Sequence, residues 1–256
     1  MKRRNFVFRL LPAVACASLV ACVPVTAHAW DWSFGFNSTK GSGVIKTETR
    51  NVSGFNRIGL ALPGVVEVIQ GDSEGLKIET DDNLLPLIET VVEDGSLKLR
   101  VKDKGNISTK TLKITVNAKA IEGLSVGGSG DIRAAKLKTG KLKVSVAGSG
   151  DVSIAALDAD DLHISIAGSG TFVAGGKANT VSSSIAGSGD LKAGKLESNS
   201  HKISIAGSGD ATVWVKDTLS VKVAGSGDVK YYGDAKVTQS VAGSGSIKRL
   251  GTSPGA

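Results

Sequence analysis

Seven copies of Gly-Ser-Gly, with first glycines at 128, 148, 168, 187, 207, 225 and 243, divide the second half of this chain into intervals of 20, 20, 19, 20, 18 and 18 residues. That length suits one coil of a β-solenoid and is too short for most helical repeats. Alignment on the first glycine shows which columns turn inward. Two residues before it stand Val126, Val146, Ile166, Ile185, Ile205, Val223 and Val241, all β-branched; four before it stand Leu124, Val144, Ile164, Ser183, Ile203, Val221 and Gln239. Between them runs a polar column of Ser125, Ser145, Ser165, Ser184, Ser204, Lys222 and Ser240. Apolar-in, polar-out alternation with period two is the pattern of a half-buried strand. A second strand follows the turn, opening with Ile132, Val152, Phe172, Leu191, Ala211, Val229 and Ile247, and turn residues such as Asp158-Ala159-Asp160-Asp161 then carry the chain around, where the length variation falls. Parallel stacking pairs the backbone between coils and joins the apolar columns into one core that no coil could form alone.

The expected fold is therefore all-β, a right-handed parallel β-helix with coils of 18–20 residues over 121–250, its hand taken from the usual rule for parallel crossovers. With ~4.8 Å between stacked strands, the six steps make a rod segment of roughly 29 Å. Only 4% of residues are aromatic, so the core must rest on Val, Ile, Leu and Ala.

Gly-Ser-Gly itself admits three readings. The simplest is a structural corner: Gly128, Gly130, Gly148, Gly150, Gly168, Gly170, Gly187, Gly189, Gly207, Gly209, Gly225, Gly227, Gly243 and Gly245 permit positive φ and close backbone approach. The second is calcium. Asp131, Asp151, Asp190, Asp210 and Asp228 form an acidic column, interrupted by Thr171 and ending at Ser246. Carboxylates are the ligands that calcium takes, yet the calcium-binding nonapeptide places Gly-x-Asp in both halves of a coil, and here Asp directly follows Gly in one half alone. The third, a phosphate cradle, lacks a following Gly-Lys-Ser/Thr and a helix start. The corner is the favoured reading, and no metal or cofactor is expected.

Residues 48–120 differ in pattern. Arg57–Leu62, Val65–Gln70, Leu76–Thr80, Leu97–Val101 and Leu112–Val116 alternate as strands, with turns near Pro63-Gly64, Gly71-Asp72 and Asp94-Gly95. Asn83–Val92 reads as one short helix, capped by Asp82 or Asn83 with Pro86 in its first turn. This β-rich part is expected to close the solenoid's N-terminal mouth, where unpaired edges would otherwise invite polymerisation.

Residues 1–29 read as a secretory signal: Lys2, Arg3, Arg4 and Arg9, an apolar run from Leu10 to Val23, then Ala27-His28-Ala29. Cleavage would leave Trp30 first. Leu19-Val20-Ala21-Cys22 offers an alternative, lipid attachment at Cys22 in an outer-membrane lipoprotein, and Arg3-Arg4 leaves the export route open between general and twin-arginine systems. Either way the destination is periplasmic, secreted or cell-surface. Four of the 31 Lys and Arg residues and none of the 24 Asp and Glu residues lie in the signal, so the remainder carries a net charge of only +3. That removes the case for a nucleic-acid partner. Both cysteines, Cys16 and Cys22, also lie there, so no disulfide is expected. No later run is long and apolar enough for a transmembrane helix. Residues 30–47 hold Trp30, Trp32, Phe34 and Phe36 ahead of a Gly41-Ser42-Gly43 linker, and residues 251–256 form a short tail.

The run RNVSGFNRIGLALPGVVEVIQGDSEGLKIETDDNLLPLIETVVEDGSLKLRV at Arg50–Val101, followed by recurring AGSGD, resembles the autotransporter adhesin head domain family, or head GIN. The resemblance spans about residues 48–250. It implies an exported bacterial β-helix protein without assigned catalysis, supplies no functional residues to carry over, and includes no translocator barrel.

No residues suggest a catalytic centre. A carbohydrate-active β-helix enzyme needs clustered carboxylates in a cleft built by long loops, whereas these turns are short and uniform. His163 and His201 read as solvated surface histidines, Asp158, Asp160 and Asp161 as a polar turn, and Lys136, Lys138, Lys141 and Lys143 as a solvated edge. The candidate binding surface is the outward column Ser125, Ser145, Ser165, Ser184, Ser204, Lys222 and Ser240, a strip of small hydroxyls able to meet a glycan or an envelope protein; its plainer reading is cheap outward residues beside a tight corner. The expected function is a noncatalytic envelope or surface scaffold, an adhesin. The alternatives are a polysaccharide lyase or hydrolase on the same scaffold and a self-assembling structural protein, for which a homo-oligomer is the expected partner.

Overall fold

The computed structural model describes residues 38–255, most of them strand. The segment expected to be a secretory signal, with Cys22, and the aromatic residues Trp30, Trp32, Phe34 and Phe36 lie outside the described residues. In chain order the strands are β1 (Ser38–Lys40), β2 (Ile45–Arg50), β3 (Arg57–Ala61), β4 (Val65–Gln70), β5 (Gly75–Asp81), β6 (Ile88–Glu93), β7 (Ser96–Val101), β8 (Asn106–Ser108), β9 (Leu112–Ala118) and β10 (Gly123–Gly128). The long strands β11 (Asp131–Gly148), β12 (Val152–Gly168), β13 (Thr171–Gly187), β14 (Asp190–Gly207) and β15 (Ala211–Gly225) follow, then β16 (Val229–Tyr232), β17 (Lys236–Gly243) and β18 (Ile247–Gly251).

From β10 onward every pairing is parallel, which makes this region a β-solenoid. The β-branched column aligned from the sequence stacks in register, Val126 on Val146, Ile166, Ile185, Ile205, Val223 and Val241. All members up to Val223 are buried, each such side chain contributing roughly 1.5–3 kcal/mol by leaving water. Val241 is the exception, at 40% exposed against 2% for Val223. Its coil is stacked on one side alone.

From β11 to β15 each coil breaks only at Gly-Ser-Gly and elsewhere bends as one continuous strand; the coil after β15 also breaks at residues 233–235, between β16 and β17. Asp158–Asp161 is thus not a turn. It lies within β12, with Lys138, Thr139 and Lys141 of β11 opposite Asp158, Ala159 and Asp161, and Ala159 faces the core. Hydrogen bonding to a coil on each side overrides the local turn preference of the aspartates. Length differences are absorbed nearby as bulges, as where Ala155 and Ala156 of β12 oppose only Gly175 of β13.

At the N-terminal end, β3 continues one face of the stack onto β7, and β4 continues another onto β9. Both are then closed by antiparallel strands, β6 on β7 and β5 between β9 and β2. The helix expected over Asn83–Val92 does not form. Leu85–Leu87 makes a single 3-10 turn, and Ile88–Glu93 is strand β6, joined to β7 through Asp94 and Gly95 at φ 49° and 71°. Two positive φ angles in a two-residue loop are what a tight hairpin requires, and Ile88, Thr90, Val91 and Val92 are β-branched. Arg50 braces this cap: its guanidinium donates to the carbonyls of Leu85 (2.9 Å) and Ile88 (2.6 Å) and to Glu48 (2.7 Å).

Candidate functional site

The corner shows why glycine is required there. Gly148 has φ +124°, and a Cβ on it would lie 2.5 Å from the Gly128 carbonyl oxygen. A Cβ on Gly150 would lie 2.1 Å from the Gly130 carbonyl oxygen and 2.7 Å from Val126 Cγ1. This crowding recurs up the stack. The close approach lets the Ser149 N–H donate to Gly128 O and the Ser169 N–H to Gly148 O, both at 2.9 Å, with the same bond at Ser188, Ser208, Ser226 and Ser244.

Beside the corner, the aspartate column supplies carboxylate acceptors for backbone N–H groups of the next coil. Thr171 N–H donates to Asp151 Oδ1 and Asp228 N–H to Asp210 Oδ1, each at 2.8 Å, and Asp151 N–H reaches Asp131 Oδ1 at 3.3 Å. Asp228 accepts from both the N–H and the hydroxyl of Ser246 at 2.8 Å, and these bonds, the hydroxyl's foremost, hold its carboxyl below the usual range. Where Thr171 interrupts the column, Asp190 N–H turns to the Gly170 carbonyl instead. Among the described residues, no three His, Cys, Asp or Glu side chains converge as a metal site.

His201 is not a surface residue. It is 3% exposed, stacked between Val181 and Leu219, and burial pushes its imidazole down to about 3. Its Nε2 lies 2.8 Å from Ser183 Oγ, also buried. A Ser–His hydrogen bond is the start of a nucleophile–base pair, but this one sits inside the solenoid, out of reach of a substrate. The sequence carried a signal for it: Ser183 and His201 are the polar departures in two adjacent inward columns. His163, by contrast, is exposed.

Ser125, Ser165, Ser184, Ser204, Lys222 and Ser240 are exposed, with Ser145 half-buried, and they align coil on coil. An alanine column, Ala147, Ala167, Ala186, Ala206, Ala224 and Ala242, flanks them toward the corner, so the strip is flat. Its N-terminal end opens into a groove of about 310 Å³ lined by Arg57, Ser96, Ser125, Lys143 and Ser145 among others.

A larger hollow of about 670 Å³ lies in the cap, against Lys40, Ser42, Asp81, Thr109 and Lys110. Asp81 there accepts from Thr109 Oγ1 (2.5 Å) and Gly43 N–H (2.6 Å), which lower its carboxyl in that order. Ser42 donates to Asp82 through its hydroxyl and to Asn83 through its N–H. Gly41-Ser42-Gly43 is thus not a free linker but a clasped loop.

Residues 54–235 match the family described as “Putative auto-transporter adhesin, head GIN domain”. The chain belongs to this family. Solved structures agree with the assignment. A “putative adhesin” from Bacteroides fragilis is 28% identical, with a TM-score of 0.78 over 83% of this chain and all of the other. One from Parabacteroides merdae is 23% identical at TM-score 0.67, covering 83% of this chain and 99% of its own, and shares the fold. So does a Parabacteroides distasonis protein described as a “Putative lipid binding protein”, 24% identical at TM-score 0.66 over 83% of this chain and 99% of its own. No curated protein matches this chain. In this head GIN domain, the serine strip is the outward feature repeated through the whole stack.

Proposed function

We propose that this head GIN protein is a noncatalytic, exported scaffold of the bacterial envelope or surface that contacts a glycan along its serine strip. The observation that carries this reading is the register of serine hydroxyls from Ser125 to Ser240, interrupted once by Lys222 and exposed except at half-buried Ser145, on a flat face bordered by alanine. Hydroxyls both donate and accept, which suits the hydroxyls of sugars. Stacked coils hold them at a constant spacing that a flexible surface could not keep. The family assignment and the signal-like N-terminus support export, with lipid attachment at Cys22 as the alternative anchor.

The test is a glycan array probed with the exported protein and with the variant Ser165→Gln/Ser184→Gln/Ser204→Gln, which crowds the strip without changing charge. Expected is binding by the native protein and its loss in the variant at an unchanged melting temperature. Equal binding by both would move the site elsewhere, and cleavage of a bound glycan would replace the scaffold with the enzyme. Intact mass of the exported protein separates a chain starting at Trp30 from one lipidated at Cys22.

A further inference from the structure

Along the solenoid, charge is neutralised on one face and not on another. On the first, Lys138, Asp158, Lys177 and Glu197 stack in register with alternating sign, and Lys138 lies 3.6 Å from Asp158. The second is the serine strip with the outward column beside it. From Arg57, which pairs with Ser96 of the cap, that column passes through Gly123, Lys143, His163 and Ser182 to Lys202; Lys222 stands one coil further on, in the strip itself. From Arg57 onward neither column holds a carboxylate, nor does the alanine column, while on the cap side Ser96 is followed by Glu93, which is paired with Lys98. Arg57, Lys143, Lys202 and Lys222 are all exposed, and none forms an ion pair among the described residues. The one carboxylate in the next outward column is Asp161, in register with Lys141, and the aspartate column stands across the corner, where its oxygens take backbone N–H groups. Arg57 to Lys222 covers six coil steps, roughly 29 Å at ~4.8 Å each.

We infer that the ligand of this face is an acidic polysaccharide, a linear glycan bearing carboxylates, lying along the solenoid axis. The inference rests on the glycan-binding reading above and narrows it. These four cations, Arg57 donating to the Asp94 carbonyl but none of them in an ion pair among the described residues, create a positive strip that attracts a polyanion, and the serines between them are left for sugar hydroxyls. The three columns carry no Phe, Tyr or Trp and a single His163, whereas single-stranded nucleic acids are held by stacking successive bases on aromatics. Nor do they offer an apolar bed for an acyl chain.

The experiment is isothermal titration of the exported protein with oligogalacturonides long enough to span the strip, with uncharged maltodextrin of similar length and with oligo-dT. Each is repeated on Lys143→Gln/Lys202→Gln/Lys222→Gln, whose melting temperature checks folding. Expected is binding of oligogalacturonide that weakens with salt and falls about tenfold or more in the triple variant. Maltodextrin binding as tightly, or oligogalacturonide binding unmoved by the triple variant, overturns the acidic-ligand inference and leaves the scaffold reading standing. Tighter binding of oligo-dT overturns the choice of a glycan. If no glycan binds here or on the array, both readings fall.

Discussion

Ser183 Oγ and His201 Nε2 lie 2.8 Å apart inside the solenoid, linking β13 to β14 through a core built mostly of aliphatic side chains. The pair makes this core sensitive to acid. An unfolded chain takes up a proton at its histidine near the ordinary pKa of about 6.5, whereas the folded chain refuses it until about 3, because burial disfavours the imidazolium. The stability contribution is therefore complete above about pH 6.5 and is lost as pH falls toward 3, at roughly 1.4 kcal/mol per pH unit. Urea unfolding from about pH 7 to pH 4 should show this slope reduced by one proton in Ser183→Val/His201→Leu relative to native protein. His201→Leu alone should lose about 1–3 kcal/mol at neutral pH, since it strands the Ser183 hydroxyl.

Gly150→Ala should destabilise by about 2–4 kcal/mol, because the added methyl must enter the space of the Gly130 carbonyl and Val126. Gly71→Ala is the control, with nothing within 4 Å of its Cβ position. Chemical denaturation of both variants measures the contrast.

The aspartate column should hold the corners without metal. Asp151→Ala removes the acceptor of the Thr171 N–H and should lower the melting temperature, while chelating divalent cations should leave the native value unchanged. A chelator effect as large as that of the substitution would restore calcium to the corner.

Thr80→Val should stabilise the cap by about 1 kcal/mol. Thr80 is fully buried in β5 and its hydroxyl has no hydrogen-bond partner, so an apolar side chain of the same shape relieves a desolvation penalty. The urea midpoint at constant slope reads the gain.

Hydrogen exchange should be fastest in β17 and β18. They form the end of the stack, and Val241 is 40% exposed where equivalent residues are buried. Local opening follows such loss of burial, so amides of Thr238–Ala242 should exchange well ahead of those of Val221–Ala224.

The corrections share one physical origin. Asn83–Val92 holds Pro86 and a capping Asp82, as a helix start does, but Ile88–Glu93 gains a whole strand partner in β7, and that outweighs local capping. His201 is polar and so read as exposed, yet stacked register places it under Val181 and over Leu219 whatever its polarity. The strands at Arg57–Leu62, Val65–Gln70, Leu76–Thr80, Leu97–Val101 and Leu112–Val116 were legible because each alternates within itself.

By itself, the sequence determined the solenoid: a Gly-Ser-Gly corner every 18–20 residues, a β-branched column and a mostly apolar one on either side of an outward serine, and a change of pattern before Gly123. Those are local and periodic properties, and period two with a fixed coil length leaves few ways to bury the apolar residues. Only the tertiary structure decided that Ser183 meets His201, that Asp151 caps Thr171, and that Arg57 heads the column of Lys143 and Lys202. Each joins residues from different coils. Which of them touch depends on register, and register is set by all the coils packing together.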